Sequence, residues 1–309
     1  MFEHGLSGRL WPIRYKPYPD EMLTSWLVRL SRAYGADPTG FYADVWPPDH
    51  VWNRDVDRGT DDHLILLLAT KTATPRSRVL AATIRGYRGY RTEDLRVLRR
   101  PPWLLNLGMS SFTRRKPWLQ YCPDCLQTDV DPYFRRSWRL AFVTVCPKHR
   151  RCLLDRCDHC DAVVNFHLLS GDAKAITLCY RCRADLRSAY APMIDERTDD
   201  DRYLLQFQTF LLKRLRSGRC QLGGFAPIRS VEFFDRLRRR MLHFLTLLHA
   251  PAFKMAFGSY LDASFFESHL TSVRRRSFEA LEVEDRLLFM LFMSWWSEQW
   301  PAAFQALGS

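Results

Sequence analysis

Apolar residues recur at helical spacing through the first eighty positions. Met22, Leu23, Trp26, Leu27 and Leu30 share one helical face behind Asp20-Glu21, which open the helix, while Arg29 and Arg32 lie off that face. Tyr34-Gly35-Ala36 breaks the pattern. Asp37-Pro38 then combines a capping side chain with proline at the first helical position. The helix that follows carries Phe41, Tyr42 and Val45 and stops before Pro47-Pro48. Helix, glycine turn and helix over residues 19–47 predict a helix-turn-helix. The plan repeats more loosely: Thr60 caps a helix bearing Leu64, Ile65, Leu67 and Leu68, and Thr74-Pro75 caps another through Val79, Leu80 and Ile84.

Farther along, the period changes. Residues 137–145 (SWRLAFVTV) predict a short strand, and residues 161–166 and 175–178 a second hairpin. The acidic segment 191–201 predicts an exposed connector. Beyond it Tyr203, Leu204, Phe207, Phe210, Leu211 and Leu215 form a helical stripe that ends at Ser217-Gly218. Further helices are predicted over 231–248, with Arg238-Arg239-Arg240, and over 283–299, closed by Pro301; Arg274-Arg275-Arg276 reads as a solvated loop, with another anionic contact as the alternative. The expected architecture is mostly α with small zinc-ribbon β hairpins. It divides into a helical N-terminal domain with the helix-turn-helix and a basic stretch (1–118), a tandem zinc-ribbon region (119–190) and a C-terminal helical domain (191–309).

Charge sharpens this picture. The chain carries a formal +12, and residues 76–116 hold eleven Lys/Arg against two acids. Within it, residues 84–100 interleave Arg85, Arg88, Arg91, Arg96, Arg99 and Arg100 with Tyr87 and Tyr90, and Arg114-Arg115-Lys116 follow. Arginine binds phosphate bidentately and tyrosine can stack on bases, so a polyanion, nucleic acid first, is the expected partner. Arg29, Arg32, Arg85, Arg88, Arg91, Arg99, Arg100, Arg114, Arg115 and Lys116 are the candidate contacts. The N-terminus has no apolar leader and no later run is long and charge-free enough to span a bilayer, so no membrane role and a cytoplasmic location are expected.

The strongest chemical signal is four evenly built pairs: Cys122/Cys125, Cys146/His149, Cys157/Cys160 and Cys179/Cys182, each with two residues between its members. Reduced cytosolic thiols at this spacing predict metal knuckles, two of which complete a tetrahedral site. Four-ligand sites leave no open position, so two structural Zn²⁺ ions are expected. Spacing permits both sequential and cross-braced pairing of the knuckles. Cys152 and Cys220 are left over as packing residues, with Cys152 the nearest substitute ligand. No phosphate loop, H-E-x-x-H, G-x-S-x-G, dinucleotide fingerprint or H-x-E deaminase signature is present, so enzymatic activity is not expected.

The runs KPYPDEMLTSWLVRLSRAYG and YCPDCL…PYFRRSWRLAFVTVCPKH…LLDRCDHC resemble the TniQ/TnsD family of transposition target-selection proteins over about residues 13–185. That resemblance implies a non-catalytic adaptor that marks a target site and recruits a TnsC-like AAA+ ATPase, which brings the transposase. By position it implies a first zinc site at Cys122, Cys125, Cys146 and His149, and a second at Cys157, Cys160, Cys179 and Cys182. It further implies a bacterial cytoplasmic setting and an N-terminal region (19–47) that touches the ATPase or its DNA. Some members read target DNA directly; others ride on a CRISPR effector complex with guide RNA, and the modest length here favours the adaptor style. The alternative is a stand-alone zinc-containing DNA-binding regulator.

Overall fold

In the computed structural model, residues 10–298 are described apart from 46–51, 53, 108, 111–112, 115, 171–172, 174, 196, 222–225 and 248–276. Helix α1 (Leu23–Ala33) buries almost its whole circumference, Thr24, Ser25 and Ser31 included, and so lies inside the protein and not upon it. Its N-terminus differs from expectation. Asp20 adopts a positive φ, the helix begins at Leu23 behind Met22, and no side chain caps it. Glu21 is instead fully buried, accepting from Arg29, Ser25 and the Tyr18 amide. Gly35, at φ +67°, makes the turn. Asp37 then caps α2 (Pro38–Val45) by accepting from the amides of Thr39 and Gly40 at 2.9 Å.

The second hairpin consists of α3 (Asp62–Thr72) and α4 (Arg76–Ala81). Asp61, not Thr60, caps α3, accepting from the Leu64 amide at 2.9 Å. Helix α4 ends at Ala81, three residues before Ile84, which falls in a separate 3-10 turn (Ile84–Gly86). The basic stretch closes with the short helix α5 (Thr92–Val97). Strands β1 (Met109–Ser110) and β2 (Thr113–Arg114) pair as a minimal antiparallel hairpin.

The strand expected over 137–145 is absent. Arg136–Arg139 forms a 3-10 turn, and the rest makes isolated bridges, Leu104 to Leu140 and Val145 to Cys152. The expected hairpin over 161–166 and 175–178 is likewise reduced to the bridges Arg156 to Val163 and Leu178 to Asp185. The alternating side chains that suggested a strand are buried on both sides: Trp138, Leu140, Phe142 and Val145, but also Ser137, Arg139, Ala141, Val143 and Thr144. No solvated face remains for a ribbon.

The chain continues with α6 (Pro123–Thr128), then α7 (Asp199–Ser217), α8 (Ser230–Leu247) and α9 (Val283–Glu298), with α9 packed along α7. Asp199, Asp200 and Asp201 of the acidic connector form the first turn of α7, where negative charge complements the helix dipole. Strands β3 (Arg219–Cys220) and β4 (Ile228–Arg229) pair between α7 and α8. The run 274–276 lies outside the described residues. Among the described residues the fold is therefore mostly helical, with two minimal two-stranded sheets.

One apolar cluster includes residues from all three expected segments. Trp103 meets Phe142, Phe234 and Phe278 edge-on, Phe134 stacks on Phe166 with centroids 4.4 Å apart, and Trp52 stacks on His167. Buried polar side chains finish the joints. Arg139, fully buried, pairs with Asp55 at 2.8 Å and Asp57 at 3.1 Å, and Asp57 also accepts from the Thr24 amide and hydroxyl of α1. Gln208 of α7, also fully buried, accepts from the amides of Thr144 and Val145 and donates to the Val145 carbonyl at 2.7 Å. Replacing Gln208 with Leu strands those three backbone groups away from water. Chemical denaturation should show a loss of about 2–4 kcal/mol, since each unsatisfied buried group costs about 1–3 kcal/mol. An unchanged midpoint would show that the backbone finds other partners.

Two candidate metal centres and a basic surface

Three of the four knuckles are built on one backbone plan. In each, the amide four residues after the first cysteine donates back to that cysteine's carbonyl: Arg150 to Cys146 at 2.8 Å, Asp161 to Cys157 at 2.9 Å and Arg183 to Cys179 at 3.0 Å. The cysteine amide in turn donates five residues ahead, to Arg151, Ala162 and Ala184. The geometry demands a left-handed residue directly after the second ligand, and Arg150, Asp161 and Arg183 all have positive φ between 54° and 65°. None is glycine, so each turn holds a conformation that costs a side-chain-bearing residue about 1–2 kcal/mol. Knuckle 122–125 differs: Cys122 is the N-cap of α6 and Pro123 occupies its first turn.

These turns bring the ligand atoms together as consecutive pairs. Cys122, Cys125, Cys146 and His149 form one group, and Cys157, Cys160, Cys179 and Cys182 the other, with all ligand atoms in a group within 4.8 Å of one another. In the first group the sulfurs of Cys125 and Cys146 are 3.6 Å apart, and His149 Nδ1 lies 3.3–3.8 Å from the three sulfurs. In the second, Cys157–Cys182 and Cys160–Cys179 are each 3.6 Å. A tetrahedron with metal–sulfur arms of ~2.3 Å has edges of about 3.8 Å, so both sets have the size of a site for an ion such as zinc. The packed sulfurs also perturb one another. Hydrogen bonds from Cys122 and Cys125 push the Cys146 thiol far down, whereas hydrogen bonding to Cys122 and Cys146, with burial, pushes Cys125 up. A cation placed among them favours the thiolates.

Cys152 and Cys220 belong to neither group, and burial raises each thiol to about 11. Support for the first group comes from outside it, and spacing gave no sign of it. Gln208 grips residues 144–145 just before Cys146, and Gln120 Nε2 is placed to donate to the carbonyls of Trp138, Leu140 and Val143.

Among the described residues the candidate cationic contacts differ in burial and in pairing. Arg29 is paired with buried Glu21 at 2.8 Å and covers the Tyr18 ring at 4.1 Å, and Arg32 is half-buried at the end of α1. Arg91 pairs with Asp235, while Arg88, Arg99, Arg100 and Lys116 are exposed. The side chain of Arg114 and all of Arg115 lie outside the described residues. Arg85 is half-buried against Asp62. Tyr87 is fully buried beneath Arg136, and the Tyr90 hydroxyl donates to the Pro102 carbonyl, so stacking of bases on Tyr87, expected from the alternation, does not occur in this arrangement.

The TniQ family profile matches residues 12–153. This segment is similar to a TniQ domain. It includes α1, α2 and the whole Cys122/Cys125/Cys146/His149 group, and the match ends before the second group begins. It suggests a transposition-associated adaptor role, in a family generally non-catalytic. Comparison with curated proteins yields no match. No described helix is long and apolar enough to cross a membrane.

Cys122→Ser should lower bound metal by one equivalent per chain in elemental analysis, while Cys152→Ser leaves it unchanged. Equal metal content in Cys122→Ser would remove this residue from the ligand set.

Proposed function

We propose that this protein is a non-catalytic target-site selection adaptor in DNA transposition, stiffened by two structural Zn²⁺ ions. It links target DNA, or an RNA-guided CRISPR effector complex, to a TnsC-like AAA+ ATPase and through it to the transposase. The observation that carries this reading is the TniQ match over residues 12–153, because it includes the helical hairpin and a complete four-ligand group. When bound, each ion supplies charge neutralisation and a cross-link. Four protein ligands leave no position for water, the arrangement of a structural site. The protein's own residues do the rest: they fix the ligand turns, bury the joints between segments and present arginines at the surface.

The two-sided role needs a rigid body with separated faces. Buried Arg139 and Gln208 contribute that rigidity, since each ties segments distant in sequence. The alternative, a stand-alone zinc-containing DNA-binding regulator, calls for tight binding to one short sequence without other proteins. Mixing zinc-loaded protein with an ATP-bound TnsC-like ATPase, on duplex DNA, should give a ternary complex by size-exclusion chromatography. Failure to form that complex, together with nanomolar binding of the protein alone to a single short site, would replace the adaptor with the regulator.

A further inference from the structure

Asp62, in the first turn of α3, gathers three arginines from three separate elements. Arg76 of α4 and Arg85 of the 3-10 turn each reach Asp62 Oδ1 at 2.8 Å, and Arg96 of α5 reaches Oδ2 at 3.0 Å. One carboxylate neutralises one of three guanidinium charges, so the group keeps a surplus of two positive charges and most of its fifteen N–H donors. The neighbouring acids are engaged elsewhere: Asp61 caps α3 and pairs with Arg54, and Asp55 pairs with Arg58 and Arg139. Glu93 and Asp94 open α5, but the exposed Arg99 and Arg100 follow it directly. Asp62 is itself held well ionised, first by its hydrogen bond from Arg85. Its two oxygens occupy the place that two phosphate oxygens would take, and all three guanidinium groups already point there.

We propose that Arg76, Arg85 and Arg96 form a phosphate seat for the backbone of duplex DNA, with Asp62 as the internal anion that an incoming phosphate displaces. The proposal rests on the target-DNA reading above and names the residues that would carry it. A duplex suits the site better than unpaired bases, because Tyr87 is buried and Tyr90 is tied to Pro102, leaving neither as a free stacking platform. Arginine's fixed fork makes the seat specific for oxyanions, and rim charges add salt-dependent attraction.

The experiment measures binding of the zinc-loaded full chain to a mixed-sequence DNA duplex across a salt series, with thermal unfolding confirming that each variant folds. Arg76→Ala/Arg96→Ala should weaken binding about tenfold and reduce the log–log salt slope by about 1.8, close to two phosphate contacts. Asp62→Asn should tighten binding several-fold. Arg197→Ala removes one positive charge, half that of the double variant, from a 91% exposed side chain elsewhere and should change affinity less than twofold. The seat is overturned if the double variant binds like the parent chain, if Arg197→Ala weakens binding equally, or if the chain prefers duplex RNA or polyglutamate. In the first two cases the target-DNA reading survives, because the parent chain still binds DNA; a parent chain that binds no duplex removes both.

Discussion

Residues 119–194 must hold their shape almost without hydrogen-bonded ladders. Among the described residues this stretch has one six-residue helix, three short 3-10 turns and isolated bridges. Backbone groups that would normally pair within a sheet or helix must therefore find partners one at a time. They find them in the turn geometry of the knuckles, and in buried side chains of the stretch itself and of α7. Gln120 and Gln208 are the clearest cases, amide side chains wholly removed from solvent and engaged with main-chain groups. A metal ion at each ligand group would add a cross-link where regular secondary structure supplies least. The three knuckles that share one plan show how little sequence such a turn needs: two ligands and a residue willing to adopt positive φ.

The arginine content has to be divided before it is read as affinity for polyanions. Arg139 and Arg286 are wholly buried; Arg139 faces two carboxylates, and Arg286 donates to the carbonyls of Leu281 and Ala141 beside Asp155. Arg136 lies over Tyr87 and donates to the Thr83 carbonyl. Burying such charges is costly unless they are well paired, so these side chains serve the joints between segments and not the surface. Asp155 shows the opposing pressure, since burial raises its carboxyl to about 6 despite two nearby arginines. Only arginines outside this internal set can meet a ligand, and composition alone does not separate the two.

What was legible in the sequence follows from locality. The Cys/His pairs were legible because a knuckle is a local object, and the structure clusters them as consecutive pairs, a choice that spacing left open. The helix pair α1–α2 was legible from period and from Asp37-Pro38. Its environment was not: Thr24, Ser25 and Ser31 look like a polar face, yet they are buried against Asp57, Glu21 and the Val28 carbonyl, which lie thirty-three residues away, just before the helix and within it. The strand at 137–145 failed for a related reason. Alternation signals a strand only if one face is solvated, and here neighbours on both sides bury every position. Gln208 carried no signal at all, being one polar residue on an apolar helical stripe. Its role depends on a carbonyl and two amides more than sixty residues away.

The match to the TniQ family ends at residue 153, but the physical dependence of that domain does not. Cys146 is delivered by backbone that Gln208 holds, and the Trp103 amide donates to Glu279, which Arg238 of α8 also pairs with. The Ala141 carbonyl accepts from Arg286 of α9. The accepting or donating backbone groups, at Trp103, Ala141, Thr144 and Val145, all lie within the matched residues 12–153. The C-terminal helices, which carry no recognisable motif, are thus supports of the region that does. Their sequences are free to vary at the surface only as far as Gln208, Glu279 and Arg286 keep their partners. An effect of C-terminal substitutions on the N-terminal half can therefore be transmitted through these three side chains.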